Sequence, residues 1–258
     1  MKRLIYQVYV GKKSKLYDHC TASVKAYCKR HDIDYVLQTD PILMITPDPF
    51  QTNRSKEATA RLGYLPIYEK ENAFTYLRSY DQVAIIDSDV YIRDYAPNIF
   101  EFMEPEYDFG VVMEREMPIT EAYKNKIRNY SAMQYHGIQH VDFKKNDLGY
   151  EFGNMGVMVL NNSVLKYLKG MTPLQFLRQP KYKAFIDGLG AWKWSTDQTL
   201  LNVWIKEEKM HVKHMHWSFN GLYGANKRIS DCNFIHFFLK DKLPDAGENV
   251  EELMRQIS

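Results

Sequence analysis

Val83-Ala84-Ile85-Ile86 runs without a polar side chain and stops abruptly at Asp87-Ser88-Asp89, and this junction constrains the fold more than any other stretch. A short apolar run of this kind reads as a buried strand. Similar runs lie at residues 4–10, 33–38, 109–113 and 156–161. Between Leu16 and Arg30, the residues Cys20, Val24, Tyr27 and Cys28 recur at helical spacing and place one apolar stripe on a helix. Pro41, Pro47 and Pro49 break the chain, after which Ala73, Phe74 and Leu77 carry a second helical pattern up to Tyr80. Strand, helix, strand, loop, helix, strand is the order of an α/β domain, because parallel neighbours require crossover connections. Residues 199–206 and 250–257 read as further covering helices, and 114–151 as a polar and aromatic surface segment.

Composition narrows the function classes. The 258 residues suffice for one sizeable core, and with no repeat or linker we expect a single domain of two closely packed halves. Lys plus Arg is 34 against 32 for Asp plus Glu, a net charge of +2, which argues against a nucleic-acid partner. No stretch approaches the ~18 apolar residues that span a bilayer. Met1-Lys2-Arg3-LIYQVYV meets GKKSK too soon for a signal peptide and reads as a first strand. Cys20, Cys28 and Cys232 form no CxxC pair, so a reducing cytoplasm is the expected compartment.

In open α/β sheets, ligands bind beyond the carboxyl ends of the strands, where Asp87 and Asp89 would stand. Two carboxylates there suit a hard cation, Mg²⁺ or Mn²⁺, which prefers oxygen ligands and can bridge to a nucleotide's phosphates. A second D-x-D, Asp32-Ile33-Asp34, precedes a strand and reads as a solvated turn.

Four further segments follow in order. Lys70, in PIYEK, lies seventeen residues before Asp87; then come Gly153-Asn154-Met155-Gly156-Val157, Ser195-Thr196-Asp197-Gln198 followed by LLNVW, and His236 with Lys242 six residues later. With IIDSDV, they resemble the GT-A-fold glycosyltransferases, especially the retaining type (family eight-like) that includes glycogenin and bacterial lipooligosaccharide galactosyltransferases. The resemblance implies a GT-A-like, Rossmann-related, mixed but mainly parallel sheet flanked by helices. It implies a nucleotide-binding half at about 1–95 and an acceptor-binding, site-completing half at about 96–258. Asp87, Asp89 and His236 would hold Mn²⁺ (or Mg²⁺), the imidazole favouring Mn²⁺. Asp87, Ser88, Asp89 and Lys242 would bind the nucleotide diphosphate. Lys70 would contact the nucleotide sugar and, with Lys242, add positive charge at the leaving group, while Asn154 and Asp197 would fix the sugar hydroxyls, with Gln198 beneath the anomeric carbon. The reaction implied is hexosyl transfer from a nucleotide sugar, a UDP-sugar foremost, to a carbohydrate or glycolipid acceptor, the latter compatible with peripheral membrane association. An amide at position 198 is a poor covalent nucleophile, so a front-face retaining route is expected. Two departures stand out: Gly153 replaces the family's aromatic, and Leu239 its usual glycine.

Two other classes compete. A sugar-phosphate nucleotidyltransferase would also use carboxylates and a cation, but residues 5–16 lack its glycine-rich phosphate loop. A non-catalytic nucleotide- or carbohydrate-binding protein of the same fold would release no nucleoside diphosphate. His211, His214 and His216 alternate as on a strand and read as structural. Glu104/Glu106 and Glu114/Glu116 read as exposed acids, and Trp217-Ser218-Phe219-Asn220-Gly221 as core packing.

Overall fold

The computed structural model describes residues 1–55 and 62–257. The chain begins with strand β1 (Arg3–Val8), helix α1 (Lys15–His31) and strand β2 (Asp34–Gln38). The stripe Leu16, Cys20, Val24, Tyr27 and Cys28 is the buried face of α1. Asp32 ends that helix in the left-handed region (φ 53°), so Asp32-Ile33-Asp34 is the turn expected of it. The second helical pattern is a 3₁₀ helix, Pro66–Arg78, whose first-turn Glu69 accepts hydrogen bonds from the N–H groups of Ile42, Leu43 and Met44. That carboxylate folds the proline-rich loop back onto the helix, in the manner of an anion held in a backbone nest.

Strands β3 (Gln82–Ile86) and β4 (Val90–Ile92) flank the acidic junction, and β5 (Phe109–Met113) follows. Helix α2 (Glu121–Tyr135) then occupies part of the segment expected to be polar and aromatic surface, where no helix was expected. Its buried Ile127, Ser131 and Gln134 sit four and three residues apart, a spacing that marks one helix face. Next come the two-residue strands β6 (Lys145–Asn146) and β7 (Gly149–Tyr150), the long β8 (Gly153–Asn161), and helix α3 (Asp197–Glu207). Short strands β9 (Val212–His214), β10 (Gly221–Leu222) and β11 (Phe234–His236) precede the closing helix α4 (Val250–Ile257). No described helix is long and apolar enough to cross a membrane.

The main sheet has the order β2-β1-β3-β8-β5-β9. β1 is parallel to β2 and β3, and β5 to β9, but β8 runs antiparallel to both β3 and β5. The sheet is therefore mixed, and reversal of β8 carries its N-terminal residues to the end of the sheet where β3 and β5 finish. Between β5 and β8 the register jumps: Val111 faces Met158, but Val112 faces Asn154. Residues 155–157 bulge out, which re-aims side chains in the way bulges do beside active sites. A Cβ on Gly153 would sit 2.6 Å from Val111, so the aromatic expected by resemblance has no room there. A second sheet, β10-β11-β4, sets His236 opposite Val90, and Phe237 N–H donates to the Asp89 carbonyl at 3.0 Å.

One apolar core spans residues from Leu4 to Phe234, and a smaller cluster under β11 joins Leu16, Cys20, Leu253 and Ile257. Asp108 pins the far edge. Its carboxylate accepts from Ser163 Oγ (2.7 Å), Tyr167 Oη (2.7 Å), Lys166 Nζ (2.9 Å) and His211 N–H (3.0 Å). Burial pushes this carboxyl up, but those four donors more than reverse it and hold it down at about 2. Because the folded state lowers this pKa, the stabilisation is full above the unfolded value of ~3.9 and is lost as pH falls through about 2. Asp108→Asn is expected to cost about 2–3 kcal/mol at pH 7, with the deficit shrinking below pH ~4. Urea unfolding of both proteins across that range checks it, and a deficit that does not change with pH overturns it.

Candidate active site

Asp87 and Asp89 leave the end of β3, and His236 closes β11 beside them. His236 Nε2 stands 3.3 Å from Asp89 Oδ1 and 3.8 Å from Asp87 Oδ2. One ligand atom from each residue lies within 4.8 Å of the other two. Asp89 Oδ1 is buried and makes no well-aligned hydrogen bond, so its lone pairs are free for a cation. With two carboxylates and one imidazole, the donor set fits Mn²⁺ or Mg²⁺. Burial alone would raise the Asp89 carboxyl, but the imidazole of His236 pulls it below the usual range. Burial would likewise lower His236, but Asp89 holds it above the ordinary histidine value.

Lys70 lies behind this trio, only 4% exposed, inside the 3₁₀ helix. Its ammonium sits 2.7 Å from Asp87 Oδ1 and 2.8 Å from Asp197 Oδ2, and donates to the Met155 carbonyl at 3.1 Å. Burial acts to deprotonate it, but Asp197 and Asp87 outweigh that and hold it above the usual lysine range. Asp197 is raised by its own burial and drawn back by Lys70. The cap of α3 is Thr196, whose hydroxyl accepts from Gln198 N–H, leaving the Asp197 carboxylate to Lys70. Gln198 Oε1 accepts from Met155 N–H at 3.3 Å, and its Nε2 points to Tyr130 Oη at 3.4 Å.

Two cavities share a wall made by Ile67, Lys70, Asp87 and Asp89. The smaller, about 250 Å³, lies beyond the end of β1 and is lined by Tyr9, Tyr17 and Ser88. The larger, about 470 Å³, is lined by Asn154, Asp197, Gln198 and His236, and also by Tyr123, Lys126, Tyr130, Phe238 and the exposed Trp194. Lys242 is exposed and lines neither cavity; it stands close enough to Lys126 that the two like charges lower the Lys126 ammonium. Leu239 lines the larger cavity at φ −118°, a conformation that needs no glycine. A groove of about 490 Å³ between residues 45–49 and 177–187 contains none of these residues.

Two sequence expectations are corrected. Glu114 is not an exposed acid: it is 5% exposed, lines the larger cavity, and accepts from Asn154 Nδ2 at 2.6 Å. Burial is the main cause that lifts its carboxyl to about 7. The signal was its place directly after β5, at the same sheet end as Asp87. Asn220, in the loop read as core packing, reaches the site through a hydrogen bond with His236. Its neighbours are apolar and aromatic, so only the three-dimensional approach of β10 to β11 brings it there. The other histidines behave as structural residues: His214 pairs with Glu116 and His216 with Ser218.

No family model matches the sequence, and no curated protein does. Solved structures do share its fold. A glycosyltransferase involved in glycosylation of the major capsid of PBCV-1 aligns with a TM-score of 0.58 at 13% identity, covering 98% of this chain and 100% of that one. The galactosyltransferase LgtC, in complex with donor and acceptor sugar analogues, aligns at 0.55 and 13% identity over 98% and 94% of the two chains. Mouse xyloside xylosyltransferase 1 aligns at 0.51 and 12% identity over 95% and 100%. The chain thus has a GT-A-like glycosyltransferase fold, as its sequence motifs led us to expect.

Proposed function

We propose that this chain transfers a hexosyl group from a nucleotide diphosphate sugar, a UDP-sugar foremost, to an acceptor hydroxyl with retention. The observation that carries this reading is the convergence of Asp87, Asp89 and His236 on one point at the wall between two cavities. Those three residues would hold Mn²⁺ (or Mg²⁺), which when bound supplies positive charge at a departing diphosphate. The nucleoside would enter the smaller cavity, where Tyr9 and Tyr17 offer aromatic faces and Ser88 a hydroxyl, so residues 1–95 supply most of the nucleotide wall. The sugar and acceptor would share the larger one, completed from residues 96–258.

In this scheme Lys70 keeps positive charge beside Asp87 while it orients Asp197 toward the sugar hydroxyls. Gln198, tied to the Met155 N–H, would lie under the anomeric carbon as a polar but non-nucleophilic floor, which favours the front-face route. Lys126, with Lys242 beside it, would meet the anionic diphosphate, whose charge would relieve their mutual repulsion. Asn154 faces the larger cavity, although its amide is largely engaged by protein partners. A carbohydrate or glycolipid acceptor would lean on the aromatic faces of Trp194 and Phe238, which line the larger cavity. Three free, buried cysteines support a reducing, cytoplasmic setting.

A thermal-shift screen of nucleotide sugars with and without Mn²⁺ tests the reading, since binding to the native state raises its stability. We expect stabilisation by one donor only when the metal is present, and metal-dependent release of nucleoside diphosphate. Pyrophosphate release from a nucleoside triphosphate would assign nucleotidyl transfer instead. Binding with neither transfer nor donor hydrolysis would leave a binding protein.

A further inference from the structure

Asn220 closes a chain of amides whose orientation is set by two backbone groups that cannot be reversed. The Gly156 N–H donates to one amide atom of Asn154 at 3.0 Å, so that atom must be the oxygen, Oδ1. The same Oδ1 lies 2.8 Å from the Asn220 amide, which must therefore present its Nδ2. That Nδ2 also points to the Asn154 main-chain carbonyl at 3.4 Å, an obligatory acceptor, and so agrees. The other end of Asn220 is then Oδ1, and it faces His236 Nδ1 at 3.1 Å. An acceptor there requires His236 to carry a proton on Nδ1. Its Nε2 is the atom turned toward Asp89 and Asp87.

We propose that Asn220 is a positioning residue that holds His236 in the Nδ1–H tautomer and so reserves Nε2 as the metal-binding nitrogen. This deepens the function proposed above and rests on it for the metal. Glu114 reinforces the relay from its far end by accepting from Asn154 Nδ2, and either of its protonation states leaves the assignment intact because the backbone N–H anchors it. Gly156 is part of the device: a Cβ there would overlap the His236 ring, so only glycine lets the imidazole lie against the bulge. Metal-bound histidines in general are oriented by a partner on the second ring nitrogen. Here that partner is an amide locked by the β8 bulge, which ties ring orientation to the main sheet.

The test begins with the metal-free wild-type protein, ¹⁵N-labelled and titrated upward until the His236 ring is neutral, a point that Asp89 sets above the ordinary histidine range. Long-range ¹H–¹⁵N correlations distinguish the two neutral tautomers, and a His236→Gln sample identifies the signal among the eight histidines. The expected result is Nδ1–H at His236. A resonance with the proton on Nε2 overturns the proposal without any variant having to fold. Asn220→Leu is expected to mix the tautomers and weaken Mn²⁺ binding about 10–100-fold by calorimetry. Asn220→Asp, which can still accept from Nδ1–H, is expected to keep the tautomer, at a cost in stability because its second oxygen faces Asn154 Oδ1 and the Asn154 carbonyl where Nδ2 donated. An Asn220→Leu protein with wild-type tautomer and wild-type Mn²⁺ affinity would remove Asn220 from the role. The tautomer is read without nucleotide sugar, so this outcome is decided separately from whether the chain transfers sugar.

Discussion

Lys70→Met is expected to destabilise the folded protein by about 3–5 kcal/mol at pH 8, the range found when one partner of a buried ion pair is removed. The methionine fills much the same space, so the loss is electrostatic. Asp197, 2% exposed, and Asp87 would be left facing one another across an apolar gap with Glu71, also buried, nearby. Burial already raises the Asp197 carboxyl and Lys70 draws it back; without Lys70 it rises further. A carboxyl whose folded pKa lies above its unfolded one stabilises most at low pH and loses that contribution as pH rises through the folded value. The variant's deficit should therefore be smaller at pH 5 than at pH 8. Guanidinium unfolding at the two pH values measures this, and equal midpoints for variant and wild type at pH 8 would mean that Lys70 does not balance these carboxylates.

Asp89→Asn is expected to reduce metal-dependent transfer on the order of 10³-fold, since the charge stabilisation a bound cation supplies is worth several kcal/mol. The fold should survive, because the Asp89 side chain ties no strands together: its contact is His236 Nε2, while its main-chain carbonyl does the structural work by accepting from Phe237 N–H. The measurement is nucleoside diphosphate release with a Mn²⁺ titration, alongside circular dichroism. Asparagine keeps the shape and one oxygen, so the variant isolates the charge. A variant with undiminished turnover and the wild-type Mn²⁺ dependence would take the acidic pair out of the chemistry.

Much of this site was legible in the sequence because its residues sit where elements end. Asp87, Asp89, Asp197 and Gln198 each flank a strongly patterned strand or helix, and local pattern locates such junctions. Lys70 was legible as a site residue, but not as a buried cation shared by two carboxylates 110 positions apart, Asp87 and Asp197, since pairing across the chain leaves no periodic trace. Helix α2 was missed because Lys, Asn and Tyr dominate it and its apolar stripe is thin. Strand β10 was missed because two residues cannot establish an alternation. Glu114 and Asn220 look like ordinary surface and loop residues in one dimension. Their role comes from the reversal of β8, which brings Asn154 between them.

That reversed strand also bears on how the protein comes to be made. Gln82 pairs with Asn161, and Ile86 with Val157, so the middle of the sheet stays open until some eighty residues more have left the ribosome. Long-separated pairings are slow to form. A nascent chain that has reached its acidic pair holds two carboxylates at the end of a three-stranded β2-β1-β3 sheet, and the His236 imidazole joins them only when β8 has closed the middle of the sheet and β11 follows it.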